Sequence, residues 1–300
     1  MARATILVVS FSDLASDPRV SKQIRFLAED HELVCAGTGA PAQQVARFIQ
    51  LQPLSQHWNR YSKYGLAGLL AARQHRAFYL ADPAVRGARA ALSSVHADLI
   101  LANDLDTLPL AVEHPGGAPV LYDAHEYAPG QGPDRFFRTL VRPFKAALLR
   151  RHLPRVAAMM TVSPGLAERY AEEFGVDSEL VLNLPAHAPE LEPAPVSWPI
   201  RLVHHGGALP NRKLETMVDV VRELGERFEL HFLLTPADPA YRDWLRRYAA
   251  QDGNVFFHEP VPMAELPAAL NAYDMEIFLL EPTTFNHERC LPNKFFEAVQ

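Results

Sequence analysis

At 300 residues the chain exceeds the usual size of one hydrophobic core, so two domains are expected. A hydrophobic content of 48% with 21% charged residues describes an ordinary soluble globule, and a net charge of −6 argues against a general nucleic-acid binder. The two cysteines, Cys35 and Cys290, offer neither a disulfide framework nor zinc spacing, and the apolar run from Thr5 to Val9 is too short for a signal peptide or membrane span. A cytoplasmic enzyme is the default.

The run from Thr5 to Val9 is continuously apolar, as expected of a strand buried on both faces. A helix from Asp17 to Ala28 follows, with Asp17 as N-cap and Pro18 at its first position. Val20, Ile24 and Leu27 form its buried stripe, while Arg19, Lys22 and Arg25 are expected to face elsewhere. Strands are expected at 32–36 and 48–51, helices at 61–78 and 83–95, and a strand at 99–102. A short helix at 105–112 and a strand at 120–122 come next. A long helix over 134–151 should be kinked by Pro143. The first half closes with a strand at 157–162, a helix from Pro164 to Phe174 stopped by Gly175, and a strand at 180–182.

Five prolines (Pro185, Pro189, Pro193, Pro195 and Pro199) then crowd into residues 185–199, too many for a helix or a central strand. The β-α alternation restarts at residue 200. Strands are expected at 200–204, 229–234, 255–258 and 275–280, with helices marked by Leu214, Met217, Val218 and Val221, by 241–248, and by a start near Asn293. The predicted architecture is α/β, with two Rossmann-like doubly wound domains facing a cleft: residues 1–184, a Pro-rich hinge at 185–199, and residues 200–300. A second domain ending on a helix start predicts a natural protein roughly 60 to 100 residues longer.

The first apolar strand leads into Ser10-Phe11-Ser12-Asp13-Leu14-Ala15, which has no glycine, so a dinucleotide fingerprint is absent, as is a Walker lysine loop. Asp104-Leu105-Asp106 has the spacing of a metal-binding carboxylate pair, but an aspartate N-cap at a strand end explains it better, and no metal is assigned. Asp123-Ala124-His125-Glu126 stands at a strand's carboxyl end. A histidine there can donate to a developing charge or a sugar hydroxyl, with carboxylates fixing its tautomer; a satisfied loop histidine is the plainer reading. In the loop from His204 to Lys213, Gly206 and Gly207 permit close backbone approach, and Arg212 and Lys213 add positive charge. Those features suit a diphosphate, although a solvated turn is equally compatible. In Leu291-Pro292-Asn293-Lys294-Phe295-Phe296-Glu297, Asn293 and Lys294 open a helix, and Glu297 could accept from ribose hydroxyls.

In order and spacing these segments resemble a retaining GT-B glycosyltransferase of family four. The resemblance rests on Asp17-Pro18-Arg19-Val20 with Gln23 and Leu27, on Asp98-Leu99-Ile100-Leu101-Ala102-Asn103-Asp104, and on Tyr122-Asp123-Ala124-His125-Glu126. Thr161-Val162-Ser163-Pro164, Leu182-Asn183-Leu184-Pro185 and Pro292-Asn293-Lys294-Phe295-Phe296-Glu297 complete it. It implies a nucleoside diphosphate sugar as co-substrate, no resident cofactor, and a glycan, lipid-linked or small-molecule acceptor. His125 would orient the donor sugar, and Lys213 or Arg212 would neutralise the leaving diphosphate. Glu297 would bind the ribose, helped by Gly206, Gly207, Asn293 and Lys294; Asp123, Glu126 and Asp104 are acceptor-side candidates. Where the family usually has a second glutamate, eight positions before Glu297, this chain has Arg289, with Glu288 adjacent.

Two other readings share the scaffold: a sugar-nucleotide epimerase or phosphorylase, and a non-catalytic sugar-nucleotide-binding subunit. Arg135, Arg138, Arg142 and Lys145 recur on one helical face against Phe136, Phe137, Leu140, Val141 and Phe144. With Arg60, Lys63 and the aromatics Trp58, Tyr61 and Tyr64, they suggest peripheral contact with an anionic membrane, against the plainer reading of a solvated basic face.

Overall fold

The computed structural model describes residues 3–54, 60–193, 195–263 and 265–299; Trp58 and the side chains of residues 60–64 lie outside what is described. The chain divides into two compact units. Residues 1–183 group with Thr283–Cys290, and residues 184–282 group with Leu291–Gln300. The expected boundaries place 283–290 in the second domain. In the structure that stretch packs on the first unit, where Asn286 Oδ1 accepts from Tyr127 N at 2.9 Å and the Phe285 ring meets Tyr127 edge-on.

The first unit contains β1 (Thr5–Val9), α1 (Pro18–Asp30), β2 (Glu32–Gly37), β3 (Arg47–Gln50), α2 (Arg60–Ala71), α3 (His75–Ala81) and α4 (Pro83–Leu92). After these come β4 (Leu99–Asn103), α5 (Leu108–Val112), β5 (Val120–Ala124), α6 (Arg142–His152), β6 (Ala158–Thr161), α7 (Pro164–Phe174) and β7 (Glu179–Leu180). Among the described residues its sheet has seven strands, all parallel, in the order β3-β2-β1-β4-β5-β6-β7. The side-chain period of two divides β1 between two cores. Ile6 and Val8 pack with Val20 and Ile24 of α1, while Leu7 and Val9 join Ile100, Ala102, Tyr122 and Leu149 on the other face.

The second unit contains β8 (Ile200–Gly207), α8 (Leu214–Leu224), β9 (Phe228–Thr235), α9 (Pro239–Tyr248), β10 (Val255–His258), α10 (Leu266–Leu270) and β11 (Met275–Glu276). The chain then runs through α11 (Phe285–Arg289), grouped with the first unit, and returns as α12 (Asn293–Ala298). The four strands are parallel, in the order β10-β9-β8-β11. Leu202, Met217, Val221, Leu230 and Phe232 fill one side of this sheet, and Val203, Leu233 and Leu266 the other. In both sheets the strand order reverses beside the first strand, between β1 and β4 and between β8 and β11. Open α/β sheets bind ligands outside the carboxyl ends of the strands at such a reversal.

Several elements differ from the expected ones. The helix expected over 61–78 breaks into α2 and α3 because Arg73 takes a left-handed backbone with φ 54°. The helix expected over 134–151 opens at 135–136, passes through a π-helical turn at Phe137–Val141 and continues unbroken into α6, the π turn standing directly before Pro143, which has no N–H to donate. The strand expected over 275–280 stops at Glu276, and α10 and α11, five residues each, are too short to show periodicity.

The Asp17 side chain accepts from Arg19 N at 3.0 Å and Val20 N at 3.1 Å, the N-cap arrangement expected from sequence. Asp17→Ala is expected to lower stability by about 1 kcal/mol, read as a shift in the urea midpoint with unchanged slope.

Candidate functional site

In the first unit, candidates gather at the carboxyl ends of β4 and β5, beside the strand reversal. Asn103 and Asp123 are register partners across these strands. Asp104 is not the N-cap of α5, a position held by Thr107. It adopts a left-handed backbone, φ 63°, and its carboxylate meets His125 twice: Oδ1 accepts from the backbone N–H at 3.2 Å, and Oδ2 lies 3.2 Å from Nδ1. The other imidazole nitrogen, Nε2, lies 3.3 Å from Asp123 Oδ2 and 3.2 Å from Asn103 Oδ1.

Asp123 is fully buried and carries the largest burden of partners. Arg19 grips it bidentately, Nε to Oδ2 at 2.5 Å and Nη2 to Oδ1 at 2.7 Å, and Gln23 Nε2 donates a further hydrogen bond. Arg19 therefore does not face outward as its place among charged residues suggests; it is buried, and its Nη1 donates to Val181 O at 2.7 Å. Burial alone would raise the Asp123 pKa, but hydrogen bonds from His125 and Arg19 outweigh it and hold the carboxyl below its ordinary value. Burial likewise opposes a charge on His125, yet the carboxylates of Asp104 and Asp123 prevail and lift it to about 9. At neutral pH the ring is an imidazolium between two carboxylates. Glu126 sits apart from this chain, accepting from Gln131 Nε2 at 2.8 Å and Asn286 Nδ2 at 3.3 Å.

In the second unit the candidates meet at the reversal between β8 and β11. His205 Nε2, near the end of β8, lies 3.2 Å from Glu276 Oε1 and 3.4 Å from Glu297 Oε2. All three side chains are more than nine-tenths buried, and neither Glu276 oxygen makes a hydrogen bond among the described residues. Gly206 has φ 113°, a conformation only glycine adopts without strain, and a Cβ there would collide with the Lys294 ammonium. Lys294 Nζ stands 5.8 Å from the centre of the Phe278 ring. Burial lowers its pKa to about 8, against the pull of Glu276 and Glu297, and Arg212 adds to the lowering. His204, stacked on Phe278, bonds Ile277 O through Nδ1 at 2.8 Å. Burial and then Lys294 depress its pKa to about 3, so it is neutral.

The structure thus brings Gly206, Lys294, Glu297 and the charge of Arg212 together. It places Lys213 elsewhere: with φ 47° it pairs with Glu281, both side chains half exposed. Gly207 ends β8 against Ala237, and Asn293 opens α12. Arg289 lies against Gly165 of α7, and its carbonyl accepts from Ser163 Oγ at 2.7 Å. Sequence reasoning quoted Arg19, Gln23 and Asn103 only as parts of the resembling segments, without a site role, and missed Glu276. A lone carboxylate inside the apolar run from Met275 to Leu280 was the available sign of the last.

This arrangement offers two buried carboxylates able to accept vicinal hydroxyls, a cation whose charge an anion would stabilise, and a glycine that lets backbone approach a ligand. Among the described residues no cluster of side chains has metal-ligating geometry, and no helix is long and apolar enough to cross a membrane.

Two outcomes check the first-unit geometry. Arg19→Met leaves Asp123 buried with one cation instead of two, and is expected to destabilise by about 3–5 kcal/mol in denaturant titration. His125 has its pKa raised in the folded state, so its stabilising contribution is complete below the unfolded value of 6.5 and is lost as pH rises through about 9. The melting temperature should fall across that window, and His125→Gln should flatten the profile.

No family model matches the sequence, and no curated protein matches it. Solved structures do. Sucrose-phosphate synthase from Thermosynechococcus elongatus superposes with a TM-score of 0.61 at 14% identity, over 92% of this chain and 75% of that one. A glycosyltransferase from Rickettsia africae gives 0.57 at 13% identity, over 93% and 73%. The Anabaena protein Alr3699/HepE, solved in complex with UDP, gives 0.55 at 13% identity, over 89% and 72%. At such identities the likeness speaks for architecture, and the fold is that of the GT-B glycosyltransferases, with two Rossmann-like domains.

Proposed function

We propose that the chain is a retaining glycosyltransferase, akin to family four, which moves a sugar from a nucleoside diphosphate sugar to an acceptor bound by the first unit. The observation that carries this reading is the group at the β8–β11 reversal: buried Glu297 and Glu276 around His205, beside Lys294 and the left-handed Gly206. Glu297 accepts from the ribose hydroxyls. Lys294 and Arg212 take the diphosphate, with the backbone at Gly206 and Gly207 free to approach it. Arg212 suits this role better than Lys213, whose ammonium is engaged by Glu281.

In the transfer, the bond between the anomeric carbon and the diphosphate oxygen breaks, and a bond to the acceptor oxygen forms on the same face. The acceptor proton passes to the departing phosphate. Charge accumulating on the diphosphate is met by Lys294 and Arg212, the electrostatic contribution that usually dominates such barriers. His125 orients the donor sugar as a fixed imidazolium, with Asp104 and Glu126 on the acceptor side. Exposed Arg135, Arg138 and Arg142 beside Phe136, which is 55% exposed, suit peripheral contact with an anionic membrane on the cytoplasmic side.

A thermal-shift series of nucleoside diphosphates, beginning with UDP, should raise the melting temperature for at least one base. Glu297→Gln should weaken that ligand about 10- to 100-fold, the cost of one or two charge-assisted hydrogen bonds. Affinity should be level below pH 8 and decline above it as free Lys294 loses its proton, by up to about tenfold per pH unit. NMR of the product should show the donor's anomeric configuration. Inverted product would refute retention, and binding without turnover would favour the non-catalytic reading. Vesicles rich in phosphatidylglycerol should pellet the protein, and Arg135→Glu with Arg138→Glu should abolish this.

A further inference from the structure

The first unit contains a second recess that plays no part in the reading above. It encloses about 390 Å³ between α3, α5 and α6, with a floor of Tyr79, Leu80, Pro109 and Leu148. Around the rim stand Arg73, Arg76 and Arg151, opposed by one carboxylate, Glu113. Glu113 is already engaged, lying 3.4 Å from Arg76 and 3.7 Å from Arg89. The guanidinium groups of Arg73 and Arg151 make no ion pair or hydrogen bond among the described residues, and both residues are exposed.

At the back lies His152, 2% exposed. Its Nδ1 faces Leu148 O at 2.8 Å; since a carbonyl only accepts, Nδ1 carries the proton. Nε2 is buried and makes no hydrogen bond; Glu113 Oε1 lies 3.5 Å from it without hydrogen-bond geometry. His75, also lining the recess, leaves its own Nε2 buried and unbonded. Carbonyls at the surrounding helix ends, which would repel an anion, are capped from outside: Arg155 Nη2 takes Val112 O, and Arg86 Nη1 takes Leu80 O and Ala81 O.

We infer that this recess binds a small phosphomonoester. Two guanidinium forks, unengaged among the described residues, match the oxyanion, and the unbonded imidazole nitrogens can accept from its remaining hydroxyl. The apolar floor takes the organic body. The site is separate from the His125 group. Glu113 and His152 end helices that run antiparallel to the strands, which puts the recess toward the amino edge of the sheet, whereas His125 follows β5 at the carboxyl edge.

The test is calorimetric titration of the full chain with phenyl phosphate and with inorganic phosphate at matched ionic strength. Saturable binding is expected, with phenyl phosphate tighter. Arg73→Ala combined with Arg151→Ala, both exposed positions, should weaken it about tenfold or more, while Glu297→Gln should leave it unchanged. Failure to saturate, equal affinity for the two probes, indifference to the arginine pair, or loss in the Glu297 variant would each overturn the assignment. None of these outcomes depends on glycosyl transfer.

Discussion

A carboxylate with no access to water must be answered by neighbouring charge, and Asp123 imposes that condition on the first unit. Isolated in the interior, it would cost several kcal/mol even after relaxation. Its answer comes from two places far apart in sequence: Arg19 and Gln23 on α1, and His125 just beyond its own strand. Satisfying one buried charge thereby fixes the orientation of α1, the orientation and charge of His125, and, through Asp104, the loop leaving β4. The same guanidinium reaches Val181 O, so the segment after β7 belongs to the same network.

The second unit solves a different problem. Glu276 and Glu297 approach a single imidazole nitrogen, an arrangement that leaves Glu276 with hydrogen-bonding capacity to spare. Natural folds rarely leave such capacity unspent in the interior, and strand reversals of open α/β sheets are where ligands commonly bind. Lys294 fits this picture, because burial strains its charge and a bound anion would relieve the strain.

Much of the fold was legible in the sequence because it depends on local rules. Pro164 to Phe174 is a helix between a serine cap at Ser163 and a left-handed Gly175, and both signals stand in the sequence. Val255–His258 is a strand within its predicted limits. What escaped depended on distance or on backbone states without a residue signature. Arg19 is buried only because Asp123, 104 residues away, needs it. The break at Arg73 is made with neither glycine nor proline. Asp104 reads as a cap in one dimension; only the neighbouring strand reveals that its carboxylate meets His125. Lys213 had charge and position in its favour, and only the fold shows that its ammonium pairs with Glu281.

His125 has both ring nitrogens committed to acidic partners, one on each side. A ring so tethered has no vacant lone pair to lend and cannot relay protons without releasing one tether. Its contribution to chemistry would be that of a stationary pole, a fixed positive reference against which a polar group settles.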